Sequence, residues 1–399
     1  MRIVVVSAFY SEGMGYTENC LPKALAALGN EVHLITSNLN VYGTSPDYEA
    51  TYASFLGAAD QGEGIFECDG YTVHRLTSAI VRGYVHIRRL AQVIRAIRPD
   101  VVHCTEIASL PAFVVAAAKP TGRFKFFAES HQHLSVVKPF LKQETGALLR
   151  KAVYRLTRTL PTYLASLAVE KCYAIAPDCL YVARHLYGVP ERKAKLQPLG
   201  TDTELFRPAM QAVELTARAA TRRELGYGDG DVVCIYTGRL SADKNPLLLA
   251  RAVDSLADGN PKYHALFIGE GLQKDEILRC RNAQVLPFVR HRELADYYRM
   301  ADLAVWPRQE SMSMLDAAAC GLPLVAADSI GESERIAGNG RVYRENSVED
   351  LMRVLASLSS SVDRRTLGTL GRQKMERGYS WSNIARSIVS DYVAASAAS

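Results

Sequence analysis

The residues best suited to chemistry lie in one stretch, Trp306–Asp328, where acidic and hydroxyl side chains stand between two apolar runs. Glu310 lies in a short polar loop, and Asp316 follows six residues later, about one turn into a predicted helix. Ser311 and Ser313 lie between them, where the start of the helix would present free backbone N–H groups. Such a helix end carries partial positive charge, so it can bind a phosphate or a sugar hydroxyl without a metal ion. The alternative is an alanine-rich helix that packs beneath a sheet.

Two cationic residues follow the predicted strand Val232–Thr237. Arg239 comes directly after the strand, and Lys244 opens the region of the next helix, with Pro246 near its start. Two cations at the carboxyl end of a strand can neutralise a diphosphate that no metal ion holds. The alternative is a solvated pair of cations on a surface loop.

A glycine-containing turn follows the opening strand. Gly13 and Gly15 lack a Cβ, so the backbone there can approach a ligand closely. A dinucleotide-binding fingerprint needs a third glycine, but Glu18 stands at that position. The turn therefore disfavours a nicotinamide-dependent dehydrogenase, and an ordinary flexible loop is the alternative to a binding site.

His131 follows the predicted strand Phe124–Glu129 and can face a ligand from the end of that strand. His133 could take the same place, and either histidine could instead be structural. Glu129 is predicted to support the site or to contact an acceptor, and no catalytic role is assigned to it.

Composition limits the class of protein. A chain of 399 residues exceeds a single core and predicts two domains. The eight cysteines occur singly, without the spacing of a zinc site, which predicts a reducing cytosol, no disulfide framework and no structural metal. No apolar run approaches the roughly 18 residues of a membrane span, and the first residues lack the features of a signal peptide.

Strands and helices alternate twice along the chain, which predicts two doubly wound parallel sheets with sites at the carboxyl ends of their strands. The join falls between Thr201 and Gly230, and Pro46–Gly70 is interpreted as a loop. The predicted strands are Arg2–Ser7, Glu31–Thr36, Asp100–His103, Phe124–Glu129, Cys172–Ile175, Lys195–Pro198, Val232–Thr237, Ala265–Ile268, Ala283–Leu286, Leu303–Trp306 and Leu322–Ala326.

The stretch around Glu310 and Asp316 resembles the donor-sugar loop of the GT4 family, retaining glycosyltransferases of GT-B fold. In that family one Glu meets the donor sugar, and a second acidic residue, four before a Cys-Gly pair, holds the nucleotide ribose. Asp316 keeps this distance from Cys320 and Gly321. Five residues instead of the usual seven separate Glu310 from Asp316, and strict counting would place Arg308 at the first position.

The resemblance covers nearly the whole chain and implies a role for each candidate. Arg239 and Lys244 match the family's GR…K motif, His131 would line the sugar pocket, and Gly13 and Gly15 would approach the diphosphate. Further donor contacts would come from the loop, at Ser311, Met312, Ser313, Met314 and Asp316, and from a base-reading backbone segment at Phe288 and Val289. Residues 1–205 would form the acceptor-side domain and 206–378 the donor domain, facing across a cleft, with 379–399 a helix returning to the first domain.

The implied reaction moves a sugar from a UDP- or GDP-sugar to an acceptor hydroxyl with retention, by front-face departure of the diphosphate. No cofactor or metal ion is implied, because Arg239, Lys244 and helix N-terminal amides supply the charge. The acceptor could be a glycan, a lipid-linked molecule or a soluble small molecule. A nucleotide-sugar 2-epimerase and a non-catalytic nucleotide- or glycan-binding module remain alternatives.

Residues 138–171 carry a net charge of +5, equal to that of the whole chain. Their leucines recur at helical spacing opposite Lys151, Arg155 and Arg158, which predicts a helix packed on its apolar side with a solvated basic face. The more specific interpretation is an approach surface for anionic phospholipid or a lipid-pyrophosphate acceptor, hence a cytoplasmic, peripheral enzyme of cell-envelope glycan synthesis. Nucleic acid is disfavoured, because aromatic residues are not interleaved with these charges.

Overall fold

Two sheets of mostly parallel strands form the centre of the protein. The structure, a computed structural model, describes residues 1–141, 147–260, 262–330 and 333–397. The first ten strands are β1 (Arg2–Val6), β2 (Glu31–Ser37), β3 (Gly64–Cys68), β4 (Tyr71–Leu76), β5 (Ser78–Val81), β6 (Tyr84–Ile87), β7 (Val101–Cys104), β8 (Lys125–Ser130), β9 (Lys171–Ala174) and β10 (Ala194–Leu196). Eight of them form the first sheet in the order β10-β9-β8-β7-β1-β2-β4-β3, while β5 and β6 form a separate hairpin.

The second sheet has the order β13-β12-β11-β14-β15-β16, and its neighbouring strands are parallel. Its strands are β11 (Val232–Thr237), β12 (Tyr263–Ile268), β13 (Ala283–Leu286), β14 (Leu303–Trp306), β15 (Leu324–Ala327) and β16 (Gly340–Tyr343). Strand β11 is buried throughout, as expected for an apolar strand covered on both faces by helices. The predicted boundary at residue 205 falls between the two sheets.

Helices cover both sheets. They are α1 (Thr17–Ala27), α2 (Tyr48–Thr51), α3 (Ala53–Leu56), α4 (Leu90–Ile97), α5 (Leu110–Ala118), α6 (Leu134–Leu141), α7 (Ala147–Tyr154), α8 (Leu160–Ala168), α9 (Pro177–His185), α10 (Ala212–Glu224), α11 (Leu247–Leu256), α12 (Lys274–Leu278), α13 (Leu294–Met300), α14 (Ser313–Ala319), α15 (Val348–Ser357), α16 (Ser361–Gly378) and α17 (Trp381–Ala397). A π-helical turn at Arg155–Thr159 joins α7 to α8. Within the described residues, no helix is long and apolar enough to cross a bilayer.

The predicted α/β class with two Rossmann-like sheets is confirmed. All eleven predicted strands are present, with ends shifted by at most two residues. The interpretation of Pro46–Gly70 as a loop is wrong, because this segment contains α2, α3 and the edge strand β3. These elements are short, and the exposed residues of β3 give no continuous apolar run that would mark a buried strand.

The last helix, α17, packs on the first domain. Its buried face includes Trp381, Ile384 and Tyr392, and it contacts α1 and β8. The chain enters the helix beside Thr201, whose backbone N–H donates to the carbonyl of Tyr379 at 2.7 Å. The carboxyl end of the chain therefore connects the donor side of the cleft to the first sheet.

Candidate active site

Two neighbouring cavities lie in the cleft between the sheets. The cation cavity, of about 380 Å³, is lined by Arg239 and Lys244 together with most of the predicted donor residues. The carboxylate cavity, of about 670 Å³, is lined by Glu18, Glu106 and His131. Tyr16, Tyr42 and Met312 belong to the walls of both, so the cavities adjoin.

Lys244 connects the two predicted donor motifs. Its Nζ donates to the backbone carbonyl of Glu310 at 3.2 Å. Burial lowers the pKa of the Lys244 ammonium group, although the negative charge of Glu310 acts to raise it. Arg239 follows β11 and reaches Asp243 at 3.0 Å, with its side chain still one-third exposed. The sequence predicted both cations at one site, and the structure places both of them in the wall of the cation cavity.

The two residues that compete for the first acidic position point in different directions. Glu310 lines the cation cavity, and its carboxylate lies 3.9 Å from His133 of the first domain. Arg308 instead pairs with Glu345 at 3.0 Å and donates to the carbonyl of Ala242 at 3.3 Å. This geometry favours Glu310, rather than Arg308, as the residue that faces a ligand.

The residues after Glu310 divide into those that face the cavity and one that does not. Ser311, Met312 and Ser313 line the cation cavity, and the two serine hydroxyls lie 2.8 Å apart. Met314 is fully buried in the hydrophobic core and is not part of the cavity wall. Its side chain therefore offers no donor contact in this structure, because it packs in the core instead of lining the cavity.

Asp316 is buried and already holds two partners. One carboxylate oxygen accepts a hydrogen bond from the hydroxyl of Thr201 at 2.6 Å, and the other lies 2.8 Å from Nε2 of His291. Thr201 ends the first domain, while His291 and Asp316 belong to the second. Asp316, the residue predicted to bind the ribose, therefore also links the two domains.

The glycine turn approaches the donor domain rather than open space. The backbone N–H of His291 donates to the carbonyl of Gly13 at 2.9 Å. A Cβ on Gly15 would fall 2.3 Å from Nε2 of His291, so a side chain there would displace this ring. Glycine at position 15 permits this close approach, and its contact with a diphosphate stays a prediction.

His131 is half-buried and begins a chain of hydrogen bonds that runs into the core. Its Nε2 lies 2.5 Å from one oxygen of Glu129, and the other oxygen lies 3.1 Å from His103. The opposite ring nitrogen of His103 lies 2.6 Å from the hydroxyl of Tyr392 on α17. Burial alone would raise the pKa of Glu129, but hydrogen bonds from both histidines lower it to about 2. Burial acts to lower the pKa of His131, but the hydrogen bond and charge of Glu129 have the larger effect and raise it.

Two further carboxylates line the cavity beside His131. Burial raises the pKa of Glu18 to about 7, and it also raises the pKa of Glu106. Glu106 accepts hydrogen bonds from the backbone N–H groups of Ala108 and His131 at 2.8 and 3.2 Å. The wall of this cavity is therefore rich in hydrogen-bond acceptors, which suits an acceptor molecule that carries hydroxyl groups.

His133, the competitor of His131, lies apart from this chain. Its Nδ1 is 3.1 Å from both oxygens of Asp178. Among the described residues, His133, Asp178 and Cys179 are the one group of three or more whose potential metal-ligand atoms lie within 4.8 Å of one another. The cation cavity itself contains Arg239 and Lys244, which suit an anion rather than a metal ion.

Sequence reasoning missed several residues that line the cavities. Tyr52 and Phe55 reach the cation cavity from the segment that was interpreted as a loop, and Tyr42 reaches it from just before that segment. The available signal was the density of aromatic residues in an otherwise polar stretch. Phe288 and Val289, which were predicted, line the same cavity. His291 was missed, because its role depends on a contact between distant parts of the chain.

Two family models match separate parts of the chain. One described as "Glycosyltransferase Family 4" matches residues 20–205, and one described as "Glycosyl transferases group 1" matches residues 231–361. Together they cover most of both domains.

Curated relatives match about half of the chain. Spore coat protein SA of Bacillus subtilis is 26% identical over 227 residues, which are 50% of this chain and 58% of the relative. D-inositol 3-phosphate glycosyltransferase of Geodermatophilus obscurus is 31% identical over 228 residues, which are 52% of this chain and 49% of the relative. The chain thus spans about half the length of these relatives.

A solved structure is similar over the whole length. Anabaena Alr3699/HepE in complex with UDP has a TM-score of 0.69 at 17% identity, covering 99% of this chain and 100% of that one. At this identity the likeness establishes the fold. Given the two family matches and this shared architecture, the chain belongs to the GT4 glycosyltransferases and has the GT-B fold.

Proposed function

We propose that the chain transfers a sugar from a UDP- or GDP-sugar to an acceptor hydroxyl, with retention and without a metal ion. The observation that carries the proposal is the placement of Arg239, Lys244 and Glu310 in the wall of one cavity, where Lys244 also bonds to the backbone of Glu310. Such a cavity suits a diphosphate bound next to a sugar. The UDP in the structural neighbour supports the same class of donor.

The cationic and anionic side chains have different roles in this proposal. The departing diphosphate gains negative charge as the bond to the anomeric carbon breaks, and Arg239 and Lys244 stabilise that charge. Because burial lowers the pKa of Lys244, a bound diphosphate would raise that pKa again and strengthen the charged form of the side chain. Glu310 would accept hydrogen bonds from the sugar hydroxyls, and Asp316 would accept one from the ribose.

The test incubates the protein with nucleotide sugars and candidate acceptors in the presence of EDTA. Nuclear magnetic resonance of the product gives the anomeric configuration. A product that keeps the donor's configuration supports the proposal. An inverted product would overturn the proposed retention. Activity that is lost in EDTA and restored by Mn²⁺ would overturn the proposed independence of metal ions.

The same assay separates the alternatives. Conversion of the donor sugar without any acceptor would indicate a 2-epimerase. Nucleotide binding with no turnover of any donor would indicate a non-catalytic binding module. Transfer only to soluble acceptors would favour a small-molecule glycosyltransferase over one of the cell envelope.

An exposed face beside the carboxylate cavity supports a membrane-bound acceptor. The expected packing of the helix through its apolar stripe is wrong for the described residues, because small residues such as Ala165 and Ser166 face inward. Residues 142–146, and the side chains of 138–150, lie outside what the structure describes. We define the apolar–basic surface by six apolar side chains that are 41–65% exposed, together with the exposed Arg155 and the half-buried Lys151 and Arg158. The six are Val153, Leu156, Leu160, Tyr163, Leu164 and Leu167.

This surface has the composition of a helix that lies in a membrane interface. Its leucines would enter the boundary between headgroups and acyl chains, and each basic residue near an anionic headgroup would contribute about 1 kcal/mol. Arg158 also lines the carboxylate cavity and lies over the ring of Tyr84 at 4.4 Å. A lipid-linked acceptor could therefore extend from the membrane into the cavity. We accordingly propose a peripheral enzyme at the cytoplasmic membrane face that acts in cell-envelope glycan synthesis.

Vesicle co-sedimentation tests the membrane proposal with phosphatidylglycerol and phosphatidylcholine vesicles at low and high salt. We expect binding to the anionic vesicles that is lost in the Lys151/Arg155/Arg158→Glu variant and in Leu156→Ser/Leu164→Ser. A matched control is the double variant Leu272→Ser/Val213→Ser, because Leu272 and Val213 are also exposed apolar residues but belong to the donor domain. Absence of binding at low salt, or equal loss in the control, would refute the membrane proposal.

A further inference from the structure

Aromatic side chains of the first domain extend across the cleft onto the donor domain. The rings of Tyr42 and Tyr52 are stacked, with centroids 4.6 Å apart and planes at 12°. Tyr52 in turn stacks on Phe288 of the donor domain, at 5.9 Å and 11°. Phe55 approaches the same phenylalanine at 5.8 Å. We call Tyr42, Tyr52, Phe55 and Phe288 the aromatic bridge.

The aromatic bridge lies in the wall of the cation cavity. All four rings line that cavity together with Arg239 and Lys244. A flat apolar wall beside two cations matches the two ends of a nucleoside diphosphate, an aromatic base and a charged diphosphate. Stacking on aromatic rings suits any nucleobase, because every base has a π-face.

Tyr52 provides a second, independent indication of a ligand. The residue is only 3% exposed, yet its hydroxyl has no hydrogen-bond partner among the residues that the structure describes. A buried hydroxyl without a partner is costly, and such groups in native proteins usually have a ligand or a water. Tyr52 and Arg239 both line the cation cavity, so a ligand in that cavity would lie beside both side chains.

The spacing of the rings shows what a bound base must do. Stacked carbon atoms approach to about 3.5–4.0 Å, so a base between two rings needs them roughly 7 Å apart. The centroids of Tyr52 and Phe288 are 5.9 Å apart, which is too close. A base can enter only if these rings separate, and they belong to different domains.

We propose that the donor nucleobase is held between Tyr52 and Phe288, and that the Tyr52 hydroxyl donates a hydrogen bond to the bound nucleotide. The inference rests on the proposed use of a nucleotide-sugar donor and extends it. The first domain would then contribute directly to donor affinity, through a segment that holds no other predicted site residue. Binding of the base would replace a contact between the two domains.

Isothermal titration calorimetry tests the aromatic bridge with UDP, GDP and inorganic pyrophosphate. We expect Tyr52→Ala to weaken UDP and GDP binding at least tenfold and to leave pyrophosphate binding unchanged. Tyr52→Phe keeps the ring and loses only the hydroxyl, so a two- to tenfold loss is expected. Arg239→Ala should weaken all three ligands.

The controls separate failure of this inference from failure of the proposed function. Tyr181→Ala removes a half-exposed tyrosine of α9 outside both cavities and should bind every ligand like the wild type. Phe288→Leu repeats the test from the donor domain if Tyr52→Ala does not fold, as thermal unfolding would reveal. A wild type that binds no nucleoside diphosphate contradicts the proposed function. Tight nucleotide binding by folded Tyr52→Ala or Phe288→Leu contradicts the aromatic bridge alone.

Discussion

Replacing Glu129 with Gln should destabilise the first domain and change the charge of His131. Glu129 accepts hydrogen bonds from His131 and His103 in a nearly dry environment, since only 6% of its side chain is exposed. Glutamine keeps the shape of the side chain but loses the negative charge. Both histidines then lose their anionic partner at once.

The magnitude follows from the pKa of the carboxyl group. One pKa unit corresponds to about 1.36 kcal/mol, so lowering the pKa of Glu129 from 4.5 to about 2 is worth about 3 kcal/mol. Because the folded pKa is lowered, this stability is present above pH 4.5 and is lost as the pH falls through about 2. At pH 7 the variant should therefore lose about 3 kcal/mol of unfolding free energy.

Urea unfolding at pH 7, followed by the fluorescence of Trp306 and Trp381, measures the stability. Glu31→Gln is a matched control, because Glu31 also contacts a histidine but is 53% exposed, and such pairs contribute less than about 1 kcal/mol. Nuclear magnetic resonance titration of His131 gives the second readout. Without Glu129 its pKa should fall, since the carboxylate that raises it most is lost while burial still lowers it. An unchanged pKa of His131, with a loss no larger than that of the control, would refute the reasoning.

The remaining predictions concern the two cavities. Arg239→Ala and Lys244→Ala should each lower kcat/KM at least ~100-fold with an unchanged circular dichroism spectrum, and near-wild-type turnover would remove the diphosphate role from that residue. Asp316→Ala should raise the donor KM more than it lowers kcat, whereas Glu310→Ala should lower kcat; steady-state kinetics that show the reverse pattern would exchange their assignments. Burial raises the pKa of Glu18 to about 7, so wild-type stability should fall as the pH rises from about 4.5 through 7. The Tm advantage of Glu18→Gln over the wild type should therefore be larger at pH 8 than at pH 5, and an advantage independent of pH would contradict the burial of a charge there.

The donor side of the cleft could be predicted from sequence because its residues follow strands directly. Arg239 comes two residues after β11, and parallel strands bring their carboxyl ends to one edge of a sheet. Lys244 and Glu310 lie in loops at that same edge, so their meeting follows from topology. The direction of each side chain could not be predicted from the sequence. Met314 is an example, because its direction depends on how α14 packs.

The first domain was less predictable, since its site residues depend on distant contacts. Nothing local to the segment around Tyr52 indicates that it would meet Phe288, more than 200 residues away. The helix of the apolar–basic surface was predicted with the wrong face inward. Periodicity locates an apolar stripe but does not tell whether protein or another apolar phase covers it, and here Ala165 and Ser166 provide the close packing.

The environment of Asp316 explains how one residue can serve both the fold and a ligand. Each carboxylate oxygen has room for two hydrogen bonds, and each accepts one, from Thr201 and from His291. His291 also occupies the space that a side chain at Gly15 would need, so the turn of the first domain is fitted to the same histidine. A ribose that bonds to Asp316 would therefore reach a contact between the two domains. Donor binding at Asp316 and at the aromatic bridge would then affect the same interface, because both join the first domain to the second.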